Sequence, residues 1–150
     1  MSFERYSVAS SEDGLSFEFY SDGPNGLIKK IIYFRKLEAD FEVYNLGFGD
    51  YNKATRKIDD LSVSNNRDRD KILATVAISV DYFFAKNPKA KVAFRGSTPA
   101  RTRLYIMRIS NYLDLLNQNV IIEGLTQDGW ELFRKDRPYK ALLITKKNVT

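Results

Sequence analysis

From Asp68 to about Lys86 the apolar residues Ile72, Leu73, Val76, Ala77, Val80, Phe83 and Phe84 recur at the spacing of one helix face. That stripe is wide enough to pack against a core. It constrains the fold strongly because the segments upstream of it follow a different period. Leu15 to Tyr20, Leu27 to Leu37, Phe41 to Phe48 and Ile58 to Val63 are rich in β-branched and aromatic residues and read as strands. The turn SDGPNG and the connection Glu38-Ala39-Asp40 separate the first three, which predicts a hairpin or meander. Gly47 and Gly49 predict a bend or bulge, and Ser64-Asn65-Asn66 stops the fourth strand. Downstream, Asn87-Pro88 ends the helix and Lys91 to Phe94 reads as a buried strand. A second helix then runs from the turn Gly96-Ser97-Thr98-Pro99 to about Asn117. Val120 to Leu125 and Tyr139 to Thr145 close the chain as strands, with Trp130 to Arg134 between them. The order predicts one α/β (α+β) domain over residues 1–150, with a mixed, mainly antiparallel sheet and two principal helices.

Composition narrows the chemistry. A chain that is 43% hydrophobic with only 8 Gly and 4 Pro can build a core. With no cysteine and no histidine, thiol nucleophiles, disulfides, imidazole acid–base chemistry and Cys/His zinc sites are all excluded. No run approaches the roughly 18 apolar residues of a membrane span, and the N-terminus has no secretory pattern, so the expectation is a soluble cytoplasmic protein. The net charge of +5 is spread among acidic residues, and Lys29, Lys30, Arg35 and Lys36 read as a solvated strand face.

The segment RGSTPARTRLY, Arg95 to Tyr105, carries the functional signal. Thr98 suits the N-cap and Pro99 the first helical position, so Arg101 and Arg103 fall near the helix start, where the dipole disfavours cations. Gly96 permits close backbone approach and Ser97 and Thr98 offer hydroxyls. An anionic small molecule or an acidic protein partner there would meet free amides and guanidinium forks, and nucleic acid is a further candidate. On a helix the two arginines point about 200° apart, whereas Arg101 and Tyr105 share a face. The competing assignment pairs the arginines with Asp59, Asp60, Asp68 or Asp70. Two other groupings carry less weight. Asp50, Asp59, Asp60, Asp68 and Asp70 could surround Mg²⁺, but Asp59 and Asp60 face opposite sides of a strand. Phe48, Tyr51, Trp130 and Phe133 could stack on a base, but such residues are usually core.

The layout, a meander, a helix, a strand, a second helix and two closing strands, resembles the core of the GNAT acyltransferase superfamily over roughly Leu27 to Thr145. In that superfamily the second helix often carries a pattern like N-x-x-A-x-x-L-Y; here Ser97, Ala100, Leu104 and Tyr105 fall in the corresponding places. The resemblance implies acetyl-coenzyme A as cofactor, with Gly96, Ser97, Thr98, Arg101 and Arg103 near it. It also implies that Tyr105 is the acid that protonates the departing thiolate. The family's Gly-rich pyrophosphate turn would fall at Asn65 to Lys71, which reads NNRDRDK and holds no glycine. The stretches LGFGD, IDDLSVSNN-RDRD and GSTPARTRLY also resemble an uncharacterised family of small bacterial proteins, which leaves a non-enzymatic module of a regulatory or defence system as the rival function.

Overall fold

The computed structural model describes residues 4–37, 42–59, 66–95, 98–116 and 119–147. The strands are β1 Ala9–Ser10, β2 Ser16–Gly23, β3 Gly26–Lys36, β4 Val43–Asn52, β5 Lys57–Asp59, β6 Lys91–Phe94, β7 Val120–Thr126, β8 Gly129–Leu132 and β9 Leu142–Lys146. The helices are α1 Arg69–Lys86 and α2 Pro99–Leu116. They form one sheet in the order β1-β2-β3-β4-β6-β9-β7-β8, with β5 added to β4. Every pairing is antiparallel except β4 with β6. A parallel pair needs a long crossover, and α1 supplies it.

One face of the sheet builds the core. Strand residues Phe17, Phe19, Ile32, Phe34, Leu46, Val92, Phe94, Leu142 and Ile144 join buried residues of both helices in a single cluster. Phe83 anchors it, stacked on Phe34 with ring centroids 4.3 Å apart. The residues facing the other way, such as Ile31, Tyr33, Ala93, Ile121 and Leu143, are only half-buried. The helix α1 is buried continuously from Ile72 to Val80, beyond the stripe its apolar spacing predicts. Thr75 and Ser79 tolerate this because their hydroxyls donate to the backbone oxygens of Lys71 and Thr75, at 2.7 and 2.9 Å.

Several expectations change. Lys30 does not belong to a solvated face. It shares the inward parity of Ile32 and Phe34, lies opposite Asp50 in the ladder, is 6% exposed and forms an ion pair with that aspartate. Gly47 and Gly49 make no bulge, because the β3–β4 register runs unbroken from Lys30↔Asp50 to Lys36↔Tyr44. A Cβ on Gly47 would instead lie 2.2 Å from the Tyr33 ring, so the glycine makes room for an aromatic on the neighbouring strand. Trp130 to Arg134 contains a strand, β8, while Tyr139 sits before the last strand rather than in it. The expected strand positions Phe41 and 61–63 lie outside the described residues.

Replacing Gly47 by Ala is expected to lower stability by about 1–3 kcal/mol through overpacking. In a Tyr33→Ala background most of that loss disappears. Urea midpoints of the four proteins in this cycle measure the coupling; additive losses would show that the ring contact is not the cause.

Candidate functional site

The parallel pairing of β4 and β6 lasts from Val43↔Lys91 to Leu46↔Phe94 and then stops. At Asp50, β4 has Lys30 of β3 on one side and Asp59 of β5 on the other, so β5 occupies the same edge as β6, farther along. Between them, residues 47–49 of β4 have no described strand neighbour on that edge. The sheet therefore forks, and a cleft of about 1090 Å³ opens at the fork. That volume slightly exceeds the roughly 300–1,000 Å³ of most small-molecule and cofactor sites.

Three aromatic side chains close the apex. Phe48 is the second residue of β4 past its last β6 pair, Phe94 ends β6, and their rings are stacked 6.2 Å apart. Tyr105 of α2 packs on both, 5.3 Å from Phe48 and 6.3 Å from Phe94. Its hydroxyl makes no hydrogen bond to any described residue. Arg101 and Leu104 extend the same wall of α2, with Arg95 beyond the end of β6 and Arg67 and Arg69 at the start of α1. The pair formed by the buried Lys30 and the half-buried Asp50 also lines the cleft.

The start of α1 is arranged unusually. Asp68 occupies its N-cap but makes no side-chain cap hydrogen bond. Its carboxylate instead accepts from the hydroxyls of Tyr6 and Ser21. Ser21 is fully buried and also accepts from Asn66 Nδ2 at 3.0 Å. Asn66 spends the rest of its amide on the β2–β3 turn, donating to Gly26 O at 2.9 Å and accepting from Asn25 N at 2.8 Å. Arg67 follows in the left-handed region with φ +59°, a conformation that a non-glycine residue holds only when its surroundings impose it. Tyr6 stacks on Phe19 with centroids 5.3 Å apart, and Lys71 Nζ lies 4.3 Å above the Tyr6 ring. Asp70 pairs with Arg108 at 3.3 Å. Asp68 and Asp70 are thus both engaged by neighbours, and the first turn of α1 lines the cleft without a side-chain cap from Asp68.

Thr98 caps α2 as its sequence predicts, its Oγ1 accepting from Arg101 N at 3.1 Å. Arg101 and Tyr105 line the cleft together, whereas Arg103 lies on a different face of α2 against the segment 133–139. Gly96 and Ser97 lie outside the described residues, as does Asp60. Among the described residues no group of three or more acidic side chains could hold a metal ion. Of the four aromatics considered for stacking, Phe48 and Phe133 pack against the core, Tyr51 lies 4.8 Å under Lys29 Nζ, and Trp130 is 44% exposed. Sequence reasoning missed Tyr6, Ser21, Lys30 and Asn66. For Lys30 a signal exists, since a lysine at an inward strand position requires an opposite charge. For Tyr6, 62 residues from Asp68, no local signal exists.

Burial and then the Asp68 carboxylate raise the Tyr6 phenol above its ordinary 10.0. The fold favours the neutral phenol, so its contribution is complete below pH 10 and declines as pH rises through the higher folded value. Tyr6→Phe is therefore expected to lower stability by about 1–2 kcal/mol near neutral pH. This deficit should shrink above pH 10; urea titrations of both proteins between pH 7 and 11 measure it.

No helix among the described residues is long and apolar enough to cross a membrane. No curated protein and no solved structure matches the chain. A family model matches residues 2–147, nearly the whole chain, and the protein therefore belongs to that family, a family of unknown function designated DUF6934.

Proposed function

We propose that the forked-sheet cleft binds an anionic ligand of acyl-coenzyme A size and that the protein transfers an acyl group from it. The observation that carries this reading is the parting of β4 and β6 after Leu46 and Phe94, with Arg101 and Tyr105 of α2 lining the opening. The likeness of the element order to the GNAT core supports the choice of ligand, as does the Ala100, Leu104, Tyr105 spacing. The glycine-free Asn65 to Lys71 turn departs from that pattern; in it the Asp68 carboxylate is held by the hydroxyls of Tyr6 and Ser21, and Asp70 pairs with Arg108. Arg67, Arg69, Arg95 and Arg101 would meet the ligand's phosphates. The backbone of residues 47–49 offers hydrogen-bonding groups along the opening. Tyr105 would give its phenolic proton to the departing thiolate as the acceptor attacks the acyl carbonyl and the C–S bond breaks, and the acceptor's own proton would pass to solvent.

Of the helix-start residues, Arg101 and Tyr105 carry the claim for this cleft. Thr98 acts through the helix cap, which fixes where Arg101 emerges. Arg103 faces away and contributes nothing to this ligand. The same arginine-rich opening suits an acidic protein partner or nucleic acid, and the two readings separate experimentally.

Calorimetry with acetyl-coenzyme A is expected to show saturable binding to the wild type. Arg101→Ala should weaken it about tenfold, the effect of one charge-assisted hydrogen bond, while Arg103→Ala leaves it unchanged. Tyr105→Phe should retain binding and slow thiol release at least about 100-fold with an amine acceptor. Absence of heat with acetyl-coenzyme A and with coenzyme A alone would reject the ligand; equal weakening by Arg101→Ala and Arg103→Ala would reject the geometry.

A further inference from the structure

Arg103, left aside by the cleft, borders a second depression of about 210 Å³ between α2 and the segment 133–139. It is smaller than the roughly 300 Å³ at which pockets for whole small-molecule ligands begin, so it suits a single side chain. Met107, Phe133 and Pro138 give it apolar walls, and Met107 is 53% exposed, a large apolar side chain left in water beside the opening.

The walls are held in place. Phe133 N donates to Ile122 O at 2.9 Å and Lys140 N to Leu125 O at 3.0 Å, tying both ends of the segment to β7. Tyr139 lies over Gly124, where a Cβ would come within 2.3 Å of its ring. Its hydroxyl accepts from Arg134 N and donates to Glu131, both at 2.9 Å. The groove is therefore formed before anything enters it, which lowers the entropy lost on binding.

Its charge is one-sided. The two acids beside it are already engaged, Glu131 by Arg137 at 2.8 Å and Asp136 by Arg134 at 3.1 Å. Arg103 and Lys135 are exposed and pair with no described residue. The first turn of α2 contains no acidic residue, so nothing there offsets the dipole's repulsion of Arg103. Two free cations flanking a one-side-chain pocket match a short acidic segment with an apolar anchor. Nucleic acid, a repeating row of phosphates, is matched by a longer basic track than two cations beside one small pocket.

We propose that this groove docks an acidic peptide segment of a partner protein. One apolar side chain of the segment seats between Met107, Phe133 and Pro138, and its flanking carboxylates meet Arg103 and Lys135. The proposal is independent of the acyl-transfer reading, since no residue of the groove lines the cleft.

The test is selection of a random dodecapeptide display library against the full chain, followed by fluorescence anisotropy of the enriched peptides. Enriched sequences are expected to carry at least two more acids than bases around an aromatic or aliphatic residue, and to bind more weakly as salt rises. Arg103→Glu and Lys135→Glu should each weaken them at least tenfold, and Arg101→Ala should leave them unchanged. Both reversed positions are exposed, and unaltered melting temperatures would show that the variants stay folded. No enrichment, a neutral or basic pool, indifference to Arg103→Glu, or tighter binding of a single-stranded RNA dodecamer that displaces the peptides would overturn the proposal.

Discussion

The shortness of the β4–β6 pairing governs the rest of this molecule. Parallel strands joined through a helix normally run side by side, but here the pairing ends at Leu46 and Phe94 and β5 takes over the same edge of β4 only at Asp50. Unsatisfied strand edges are costly when buried, so the gap between the two partners must remain accessible to water or to a ligand. The apex needs filling, and Phe48, Phe94 and Tyr105 fill it with ring contacts instead of backbone hydrogen bonds. The start of α1, which follows the β4–β5 region in the chain, then faces the same opening.

A second arrangement fixes one border of that opening. The N-terminal segment and the β2–β3 hairpin together hold the end of the α1 approach: Tyr6 and Ser21 engage Asp68, and Asn66 clamps the turn at Gly26. A carboxylate that would otherwise cap the helix is turned toward hydroxyls, while Asp70 is neutralised by Arg108. The ion pair of buried Lys30 and half-buried Asp50 lines the same cleft. Arg67, Arg69, Arg95, Arg101 and Arg108 line the cleft together with the acids Glu4, Asp50, Asp68 and Asp70. On another face of α2, Arg103 stands beside a groove of different size and chemistry, so one helix start serves two surfaces.

Much of the fold is written in local patterns. The helical spacing from Ile72 to Phe84, the Thr98-Pro99 start and the meander of β2, β3 and β4 all follow from periodicity and turn chemistry. The 200° separation of Arg101 and Arg103 follows from helix geometry alone, and the two do line different surfaces. Composition hides other features. Gly47 looks like a bulge in the sequence because glycine serves many purposes, and only the β3–β4 register shows a tyrosine ring lying over it. The strand β8 is short, with Trp130 and Leu132 exposed, so its outward residues mimic those of a loop.

The sequence by itself determined the class of fold, the two helices and their boundaries, and the exclusion of thiol and imidazole chemistry, because these depend on residue type and on spacing within single segments. It read Lys30 as a solvated residue, and only the pairing with Asp50 across the β3–β4 ladder shows it to be buried. Only the tertiary structure decided that β4 and β6 part, that Asp68 serves Tyr6 and Ser21 in place of its own helix, and that Arg101 and Arg103 belong to separate surfaces. Each of these depends on which distant segments share an edge or a face, and a carboxylate chooses among hydroxyls, amides and guanidinium groups only after packing has brought them within reach.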